Sequence, residues 1–376
     1  MNAPARRSRS GPAARRAARR AAKGSAALKL RFRASVKRIR DYEAPEEGRE
    51  GKLRLDFNEN TVGCSPAVLQ ALQKTTAEQL ALYPEYETPV RRLAAYFGVR
   101  PSEMLLTNGV DDALRLLMEV FIEPGDAVLV PEPTFSMYRF FSQVAGARIV
   151  SVRYDKAMNF PLESTLRELR RAPHILFIAN PNNPTGTLVD EPSLARILDA
   201  APRTVVLVDE AYFDFSGLTV LPWIRRRPNL IVSRTFSKAA GLAALRLGAL
   251  FAREDVISAM RRAFTPYPVN SLALVAAEAA VIDEKFLRAY AQEVLESRRQ
   301  LARGLEQLGA RVFPSAANFV LADFGPGGTR LVKRLARRGI LVRDRASEFG
   351  RDGFMRITAG TIMQTQQLLE AIKEER

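Results

Sequence analysis

The sequence predicts an α/β protein in which a large domain contains a mostly parallel, seven-stranded sheet and a smaller α+β domain follows. Seven short apolar runs alternate with amphipathic helical patterns between residues 66 and 265. Such alternation is typical of a parallel sheet that is covered by helices on both faces. A proline-containing break at residues 265–270 then precedes a long helical pattern and a second, shorter alternation. These observations place two domains in one chain.

The elements follow in order from the apolar pattern and the turn residues between them. We expect a basic disordered tail at residues 1–40, an extended arm at 41–65, a large domain at 66–270 and a small domain at 271–376. The large domain has predicted strands at 104–107, 127–130, 149–152, 174–179, 204–208, 230–233 and 247–251, and helices that include 110–121, 135–145 and 191–200. The small domain has one long helix at 271–308, strands near 311–313, 318–321, 341–343 and 354–357, and helices near 328–338 and 361–374.

The basic charge is concentrated in the tail. The formal net charge is +16, yet residues 1–40 hold 14 of the 57 basic residues and no acidic residue, which leaves 43 basic against 41 acidic residues elsewhere. The body of the protein is therefore nearly neutral, and nucleic-acid binding is not expected outside the tail. Three roles remain open for the tail: a disordered solubilising extension, a polyanion-binding arm or a transit peptide.

Composition excludes several classes of protein. No apolar run approaches the length of a membrane span, so no membrane association is expected. Cys64 is the only cysteine and His174 the only histidine. An intramolecular disulfide, a Ser-His-Asp triad and a histidine-rich zinc site are therefore not expected, and no metal is predicted. The single cysteine suits a reducing compartment, so we predict a cytoplasmic protein. His174 opens an apolar run and is predicted to lie in a buried strand.

One short segment indicates the chemistry. Thr235, Ser237, Lys238 and Arg246 bring two hydroxyls, an amine and a guanidinium into twelve consecutive residues. The hydroxyls and the guanidinium can converge on a phosphate while the amine reaches a carbonyl beside it. Pyridoxal phosphate, which carries both an aldehyde and a phosphate, requires such a set. A solvated lysine at the start of a basic helix is the alternative for this segment alone.

Two segments earlier in the chain would complete a site for this cofactor. Gly109 allows a tight turn after the strand at 104–107, and the amides of Val110 and Asp111 would then point from a helix start toward a phosphate. Phe135 follows the strand at 127–130 and offers a flat ring that can stack on the cofactor. An ordinary helix cap and a core aromatic are the alternatives.

Three further segments place polar groups at strand ends or within strands. Asn183 follows the strand at 174–179 and would direct its amide at a ring oxygen, which Tyr212 can also reach. Asp209 ends an apolar strand, where a protonated pyridine nitrogen would be a suitable partner. Arg356 lies in a strand-like run and would bind a carboxylate or phosphate. Helix capping and a structural salt bridge are the alternatives.

In this order the segments resemble the class I/II pyridoxal-phosphate aminotransferases of fold type I, and within them the histidinol-phosphate aminotransferases. The resemblance extends from about residue 36 to the C-terminus. Further segments that carry it are Asp56-Phe57-Asn58-Glu59-Asn60, Tyr83-Pro84-Glu85, Thr134-Phe135-Ser136-Met137-Tyr138, the spacing of Arg343 and Arg356, and Tyr42.

The resemblance implies that Lys238 holds the cofactor and moves the proton, and that Asp209 pairs with the pyridine nitrogen. It implies a homodimer with a shared active site, in which Tyr83 of the partner subunit reaches the cofactor's phosphate. Arg343, Arg356 and Tyr42, together with Asn183, would bind the substrate. The implied reaction transfers the amino group of histidinol phosphate to 2-oxoglutarate, which yields imidazole-acetol phosphate and glutamate. An aromatic or other amino-acid aminotransferase, a threonine-phosphate decarboxylase and a regulator with this fold are the alternatives.

Overall fold

The structure is a computed structural model, and it describes residues 30–39 and 48–375. The chain divides into two compact units, residues 1–38 and residues 39–376. In the first unit, the described residues include one 3-10 turn at Val36–Arg38. Phe32 in this unit is exposed. The other elements all lie in the second unit, and the rest of the predicted tail lies outside the described residues.

The strands and helices of the second unit alternate along most of its length. In the described residues the strands are β1 (Leu53–Leu55), β2 (Met104–Thr107), β3 (Ala127–Glu132), β4 (Arg148–Arg153), β5 (Ile175–Ala179), β6 (Val205–Asp209), β7 (Leu230–Thr235), β8 (Gly248–Phe251), β9 (Arg311–Phe313), β10 (Phe319–Asp323), β11 (Ile340–Asp344) and β12 (Phe354–Thr358). The helices are Pro66–Gln73, Ala77–Ala81, Glu87–Phe97, Gly109–Phe121, Ser136–Ala145, Leu162–Leu169, Glu191–Ala200, Phe213–Ser216, Glu254–Arg262, Ser271–Ile282, Glu284–Gln307, Gly328–Arg337, Ala346–Phe349 and Ile362–Glu375.

The larger sheet has seven strands in the order β2-β8-β7-β6-β5-β3-β4. The neighbouring strands β7, β6, β5, β3 and β4 are all parallel to one another. Strand β8 runs antiparallel to both of its neighbours, β7 and β2. The predicted α/β fold with a mostly parallel, seven-stranded sheet is therefore confirmed. The predicted strand at 204–208 corresponds to β6 with a shift of one residue.

Both faces of this sheet are covered, as the continuous apolar runs of its strands indicate. Phe177 and Leu207 pack into one buried cluster, and Ile178 and Val208 pack into another. Because successive side chains of a strand point to opposite faces, the two clusters are the two sides of one sheet. The strand ends are left free to carry polar groups.

The smaller sheet has the order β1-β11-β12-β10-β9. The predicted arm contributes β1, which pairs in parallel with β11, so this segment is more than an extended connection. Strands β11 and β12 are antiparallel and place Arg343 opposite Arg356. The division into domains at 66–270 and 271–376 stays a prediction.

The single long helix predicted at 271–308 is wrong. The structure has two helices, Ser271–Ile282 and Glu284–Gln307, separated at Asp283. Asp283 leaves helical geometry, with φ −90° and ψ 52°, and its carboxylate accepts a hydrogen bond from the amide of Phe286. It therefore acts as a cap for the second helix, which an apolar pattern running across this position conceals.

Within residues 30–39 and 48–375, no helix has the length and apolar character needed to cross a membrane.

Candidate active site

A cavity of about 600 Å³ opens where the parallel strands of the larger sheet end. The ends of β5, β6 and β7 contribute Ala179, Asp209 and Thr235. Open α/β sheets bind their ligands at this edge. The structure brings most of the predicted site residues to this cavity, namely Val110, Asp111, Phe135, Asn183, Asp209, Tyr212, Thr235, Ser237, Lys238, Arg246, Arg343 and Arg356.

Lys238 lies just beyond β7, in a turn rather than in a helix. Its Nζ donates a hydrogen bond to the carbonyl oxygen of Phe57 at 2.9 Å. Burial, and next the positive charge of Arg356, lower the pKa of Lys238 to about 8. A substantial fraction of this amine is therefore neutral near pH 8, and a neutral amine can act as a nucleophile or a base.

Asp209 is buried at the end of β6 and has three hydrogen-bond donors. Its carboxylate accepts from the hydroxyl of Tyr138 at 2.7 Å, from the hydroxyl of Ser233 at 2.9 Å and from the amide of Ala211 at 3.2 Å. Burial raises the pKa of Asp209, while the hydrogen bonds act in the opposite direction. The donors fix the position of a carboxylate that also faces the cavity.

Tyr212 follows Asp209 by three residues and lies between the two sheets. Its hydroxyl accepts a hydrogen bond from the side-chain nitrogen Nδ2 of Asn58 at 2.8 Å. The ring of Phe319 meets its ring edge-on, with the centroids 5.2 Å apart. Because Asn58 occupies an acceptor position, the hydroxyl proton of Tyr212 remains able to donate toward the cavity.

Asn183 and Arg356 contact each other deep in the cavity. Nη1 of Arg356 donates to Oδ1 of Asn183 at 2.6 Å, and Nη2 donates to the carbonyl oxygen of Asp56. With Oδ1 facing a guanidinium, which has only donors, the NH₂ group of Asn183 is directed elsewhere. Burial, and next the charge of Arg345, lower the pKa of Arg356 to about 9, which still leaves the guanidinium charged at neutral pH.

The two acceptors of Arg356, the side-chain oxygen of Asn183 and the carbonyl oxygen of Asp56, are neutral and leave its positive charge unbalanced. Its side chain is buried, its Nε has no hydrogen-bond partner, and no acidic side chain pairs with it among the described residues. Arg343, its neighbour across the sheet, contacts the face of Phe57 and likewise has no acidic partner within the described ranges. An anion that entered the cavity would supply the missing partner.

A second polar region lies at the start of helix Gly109–Phe121. Gly109 has φ +79°, and a Cβ added there would lie 2.9 Å from Nη2 of Arg246. That nitrogen donates to Asp111 at 3.0 Å. A Cβ on Gly248 would lie 2.9 Å from the amide nitrogen of Val110, so β8 packs directly against the helix start. A Cβ at either glycine would crowd the Arg246 guanidinium or the Val110 amide, which are groups that can bind a phosphate.

Tyr83 and His174 do not line the cavity of this chain. Tyr83 is 77% exposed and stacks on Tyr267, with ring centroids 4.5 Å apart. Tyr42 lies outside the described residues. His174 precedes β5 rather than forming part of it, and its side chain is exposed, with Nε2 3.5 Å from Asp126. The buried position predicted for His174 is therefore wrong, because the strand begins one residue later.

Comparison with known proteins agrees with this geometry. The family described as aminotransferase class I and II matches residues 50–372. The chain belongs to the class I and II aminotransferases.

Among the relatives of this aminotransferase is the histidinol-phosphate aminotransferase of Caldanaerobacter subterraneus subsp. tengcongensis, with 35% identity over 91% of this chain and 98% of the relative. The histidinol-phosphate aminotransferase of Sinorhizobium meliloti, solved in complex with pyridoxal-5'-phosphate, superposes with a TM-score of 0.84 and 25% identity, covering 92% of this chain and 98% of that one. The L-threonine-O-3-phosphate decarboxylase of Porphyromonas gingivalis has a TM-score of 0.76 and 24% identity, covering 86% and 99%, which shows a shared fold alone.

Sequence reasoning missed several residues that this aminotransferase places in the cavity. Tyr138 and Asn58 are the donors to Asp209 and Tyr212, and Arg345 is a further guanidinium beside Asn183. Tyr138 has a local signal, since it lies about one helical turn after Phe135. The ring of Phe135 meets that of Tyr138 edge-on at 5.6 Å. Asn58 has no such signal, because its partner is 154 residues away.

Proposed function

We propose that this aminotransferase uses pyridoxal phosphate to transfer an amino group between histidinol phosphate and 2-oxoglutarate. The observation that carries the proposal is a lysine amine of lowered pKa that shares one cavity with a buried carboxylate and two unbalanced guanidiniums, Arg343 and Arg356. The amine and the carboxylate suit the cofactor, and the guanidiniums suit an anionic substrate.

The residues of the cavity fit pyridoxal phosphate. Lys238 would bond to its aldehyde carbon, and Asp209 would pair with the protonated ring nitrogen. Phe135 would stack on the ring, and Tyr212 and Asn183 would donate to the ring oxygen. The phosphate would lie at the helix start, held by the set Gly109, Val110, Asp111, Thr235, Ser237 and Arg246. The Sinorhizobium meliloti relative, which was solved with this cofactor, supports the assignment.

When bound, the cofactor supplies a ring that accepts the electron pair released at the substrate's α-carbon. Asp209 would keep the ring nitrogen protonated, and its three donors hold the carboxylate in place for this purpose. Lys238 would take up the proton from the substrate's α-carbon and later release it. A pKa of about 8 suits an amine that must both take up and release this proton.

The substrate assignment rests on the positive charge at the far side of the cavity. Arg356 would bind the α-carboxylate of glutamate and, with Arg343 and Tyr42, the phosphate of histidinol phosphate. The histidinol-phosphate aminotransferase from Caldanaerobacter, which this chain matches over nearly its whole length, supports this choice. An aromatic amino-acid aminotransferase is the second candidate, since an arginine pair also binds a carboxylate. A threonine-phosphate decarboxylase or a regulator with this fold has less support.

We also propose a homodimer in the cytoplasm. Four exposed apolar side chains lie within fifteen residues, Leu69, Leu80, Leu82 and Tyr83, and the exposed ring of Tyr267 stacks on Tyr83. Exposed apolar groups of this kind commonly mark an interface between chains. In the dimer, Tyr83 would reach the cofactor's phosphate in the partner subunit. Tyr83→Ala should therefore weaken both dimerisation and cofactor binding, measured by sedimentation and by equilibrium dialysis.

The test of the reaction is a comparison of amino donors with the cofactor-loaded enzyme. We expect transfer from histidinol phosphate to 2-oxoglutarate with kcat/KM about 100-fold above that for phenylalanine, because a phosphate engages both guanidiniums. A higher kcat/KM for phenylalanine would move the substrate to the aromatic amino acids and leave the aminotransferase assignment intact. Release of CO₂ from threonine phosphate without amino transfer would contradict the proposed reaction.

A further inference from the structure

A third arginine lies beside the proposed arginine pair. Arg345 follows the last residue of β11 and lines the same cavity as Arg343, two residues earlier. Both guanidiniums belong to side chains that line this one cavity, although Arg345 itself lies just beyond the strand. The side chain of Arg345 is only 12% exposed. It is therefore a charged group of the cavity wall rather than of the protein surface.

Glu348 holds this guanidinium from one side. Its carboxylate forms an ion pair with Nη1 of Arg345, and the Glu348 amide donates to the Arg345 carbonyl oxygen at 3.1 Å. Glu348 is not among the residues that line the cavity. The acid therefore restrains the orientation of Arg345 from outside the cavity and leaves the cavity itself without an added negative charge.

The guanidinium retains unused donors on its other side. Nη2 is 3.5 Å from Oδ1 of Asn183, which is the limit of a hydrogen bond, and the same oxygen already accepts from Arg356 at 2.6 Å. Nε of Arg345 is buried and has no partner in the described part of the chain. A guanidinium has five N–H donors, so several remain for a ligand.

With Glu348 paired to Arg345, the charges of Arg343 and Arg356 remain without an acidic partner among the described residues, so the three guanidiniums still require more than one negative charge. The charge of Arg345 is the second largest cause of the lowered pKa of Arg356, which reflects how near the two cations are. A carboxylate has a single negative charge and two oxygens, which one bidentate guanidinium satisfies. A phosphate monoester has close to two negative charges at neutral pH and three acceptor oxygens. The arrangement matches the phosphate better than it matches the carboxylate.

We propose that Arg345 is a third arginine that binds the phosphate of the substrate, and that Glu348 is its positioning residue. This inference rests on the proposed function, because it concerns the phosphate-bearing substrate of the same cavity. It assigns to Arg345 a preference for phosphate-bearing substrates over those that have only a carboxylate.

The experiment compares Arg345→Gln and Glu348→Gln with a control, Arg351→Gln. Arg351 pairs with Asp323, is 53% exposed and does not line the cavity, so its loss removes an arginine–carboxylate pair without touching the site. For each cofactor-loaded variant, KM and kcat are measured with histidinol phosphate, with histidinol, which has no phosphate, and with glutamate. Cofactor content and thermal unfolding are measured alongside to verify that each variant is folded.

For Arg345→Gln we expect KM for histidinol phosphate to rise about 10-fold or more, while kcat/KM for histidinol and glutamate changes by less than about 3-fold. Glu348→Gln should shift the same parameter in the same direction by less, and Arg351→Gln should leave all three substrates unchanged. An equal loss on all three substrates in a folded Arg345→Gln variant would assign Arg345 a structural role and overturn the proposal, as would no change in any of them.

A second readout separates this inference from the reaction itself. Inorganic phosphate should inhibit the glutamate half-reaction of the cofactor-loaded wild type, in which the cofactor's own phosphate site is filled. Arg345→Gln should weaken this inhibition about 10-fold. If wild type does not use histidinol phosphate but shows this difference, the proposed substrate fails and the phosphate site stands. If both proteins bind inorganic phosphate equally, the assignment of Arg345 fails whatever the substrate is.

Discussion

Replacing Tyr138 with phenylalanine removes one hydrogen bond to a buried carboxylate and changes little else. The Tyr138 hydroxyl donates to Asp209 at 2.7 Å, and both side chains are buried. The ring of Tyr138 lies parallel to that of Phe177, with the centroids 4.7 Å apart. Phenylalanine retains this contact and leaves no cavity beyond the missing oxygen, so the change isolates the hydrogen bond.

The magnitude follows from the charge of the acceptor. A hydrogen bond to a charged group contributes about 1.5–3 kcal/mol to stability. Ser233 and Ala211 remain as donors, so the Asp209 carboxylate loses one of its three hydrogen bonds and keeps two. Because the lost hydrogen bond favours the ionised form, the pKa of Asp209, already raised by burial, should rise further. The loss concerns the ionised form, so the destabilisation should be larger at pH 8 than at pH 5.

The assay is a double-mutant cycle in urea unfolding of the cofactor-free protein. It compares wild type, Tyr138→Phe, Asp209→Asn and the double variant at both pH values. We expect a coupling free energy of about 1.5–3 kcal/mol at pH 8 and a smaller one at pH 5. A coupling below about 0.5 kcal/mol at pH 8 would refute the reasoning, because it would mean that the hydroxyl does not stabilise the carboxylate.

Two further predictions concern Lys238 and the turn after it. The rate at which cofactor-free protein incorporates pyridoxal phosphate should rise with pH and reach half its maximum near the Lys238 pKa of about 8, and a midpoint near 10 would contradict this. Gly241→Ala should destabilise the protein in urea by about 1–3 kcal/mol more than Gly217→Ala. Both have positive φ, +69° and +71°, but only at Gly241 would the added Cβ lie 2.6 Å from the Gly63 carbonyl oxygen. Equal losses would show that this contact relaxes.

Strand positions could be predicted because buried parallel strands have a local signature. The runs that became β5 and β6 are continuously apolar and end at turn residues, so their limits are visible in the sequence. Asp209 could be identified for a related reason, because it is a charged residue at the end of an apolar strand. Lys238 could be identified from the two hydroxyls and the guanidinium near it in the sequence, Thr235, Ser237 and Arg246.

What could not be predicted depends on contacts between distant parts of the chain. Leu53–Leu55 alternates apolar and charged residues, which predicts an extended segment, but its pairing as β1 depends on β11, nearly 290 residues later. Arg345 resembles any solvated arginine in the sequence, and only the fold places it next to Asn183. The interruption at Asp283 was hidden because apolar residues continue on both sides of it.

The most direct test of the central claim, that Lys238 binds pyridoxal phosphate in a cavity made for a phosphate-bearing amine, is visible absorbance of the purified protein with this cofactor. Wild type should show a band from the covalently held cofactor, and histidinol phosphate should bleach it at a far lower concentration than phenylalanine or glutamate does. Lys238→Ala should lack that band. The same band in Lys238→Ala, or no band in wild type, would contradict the account.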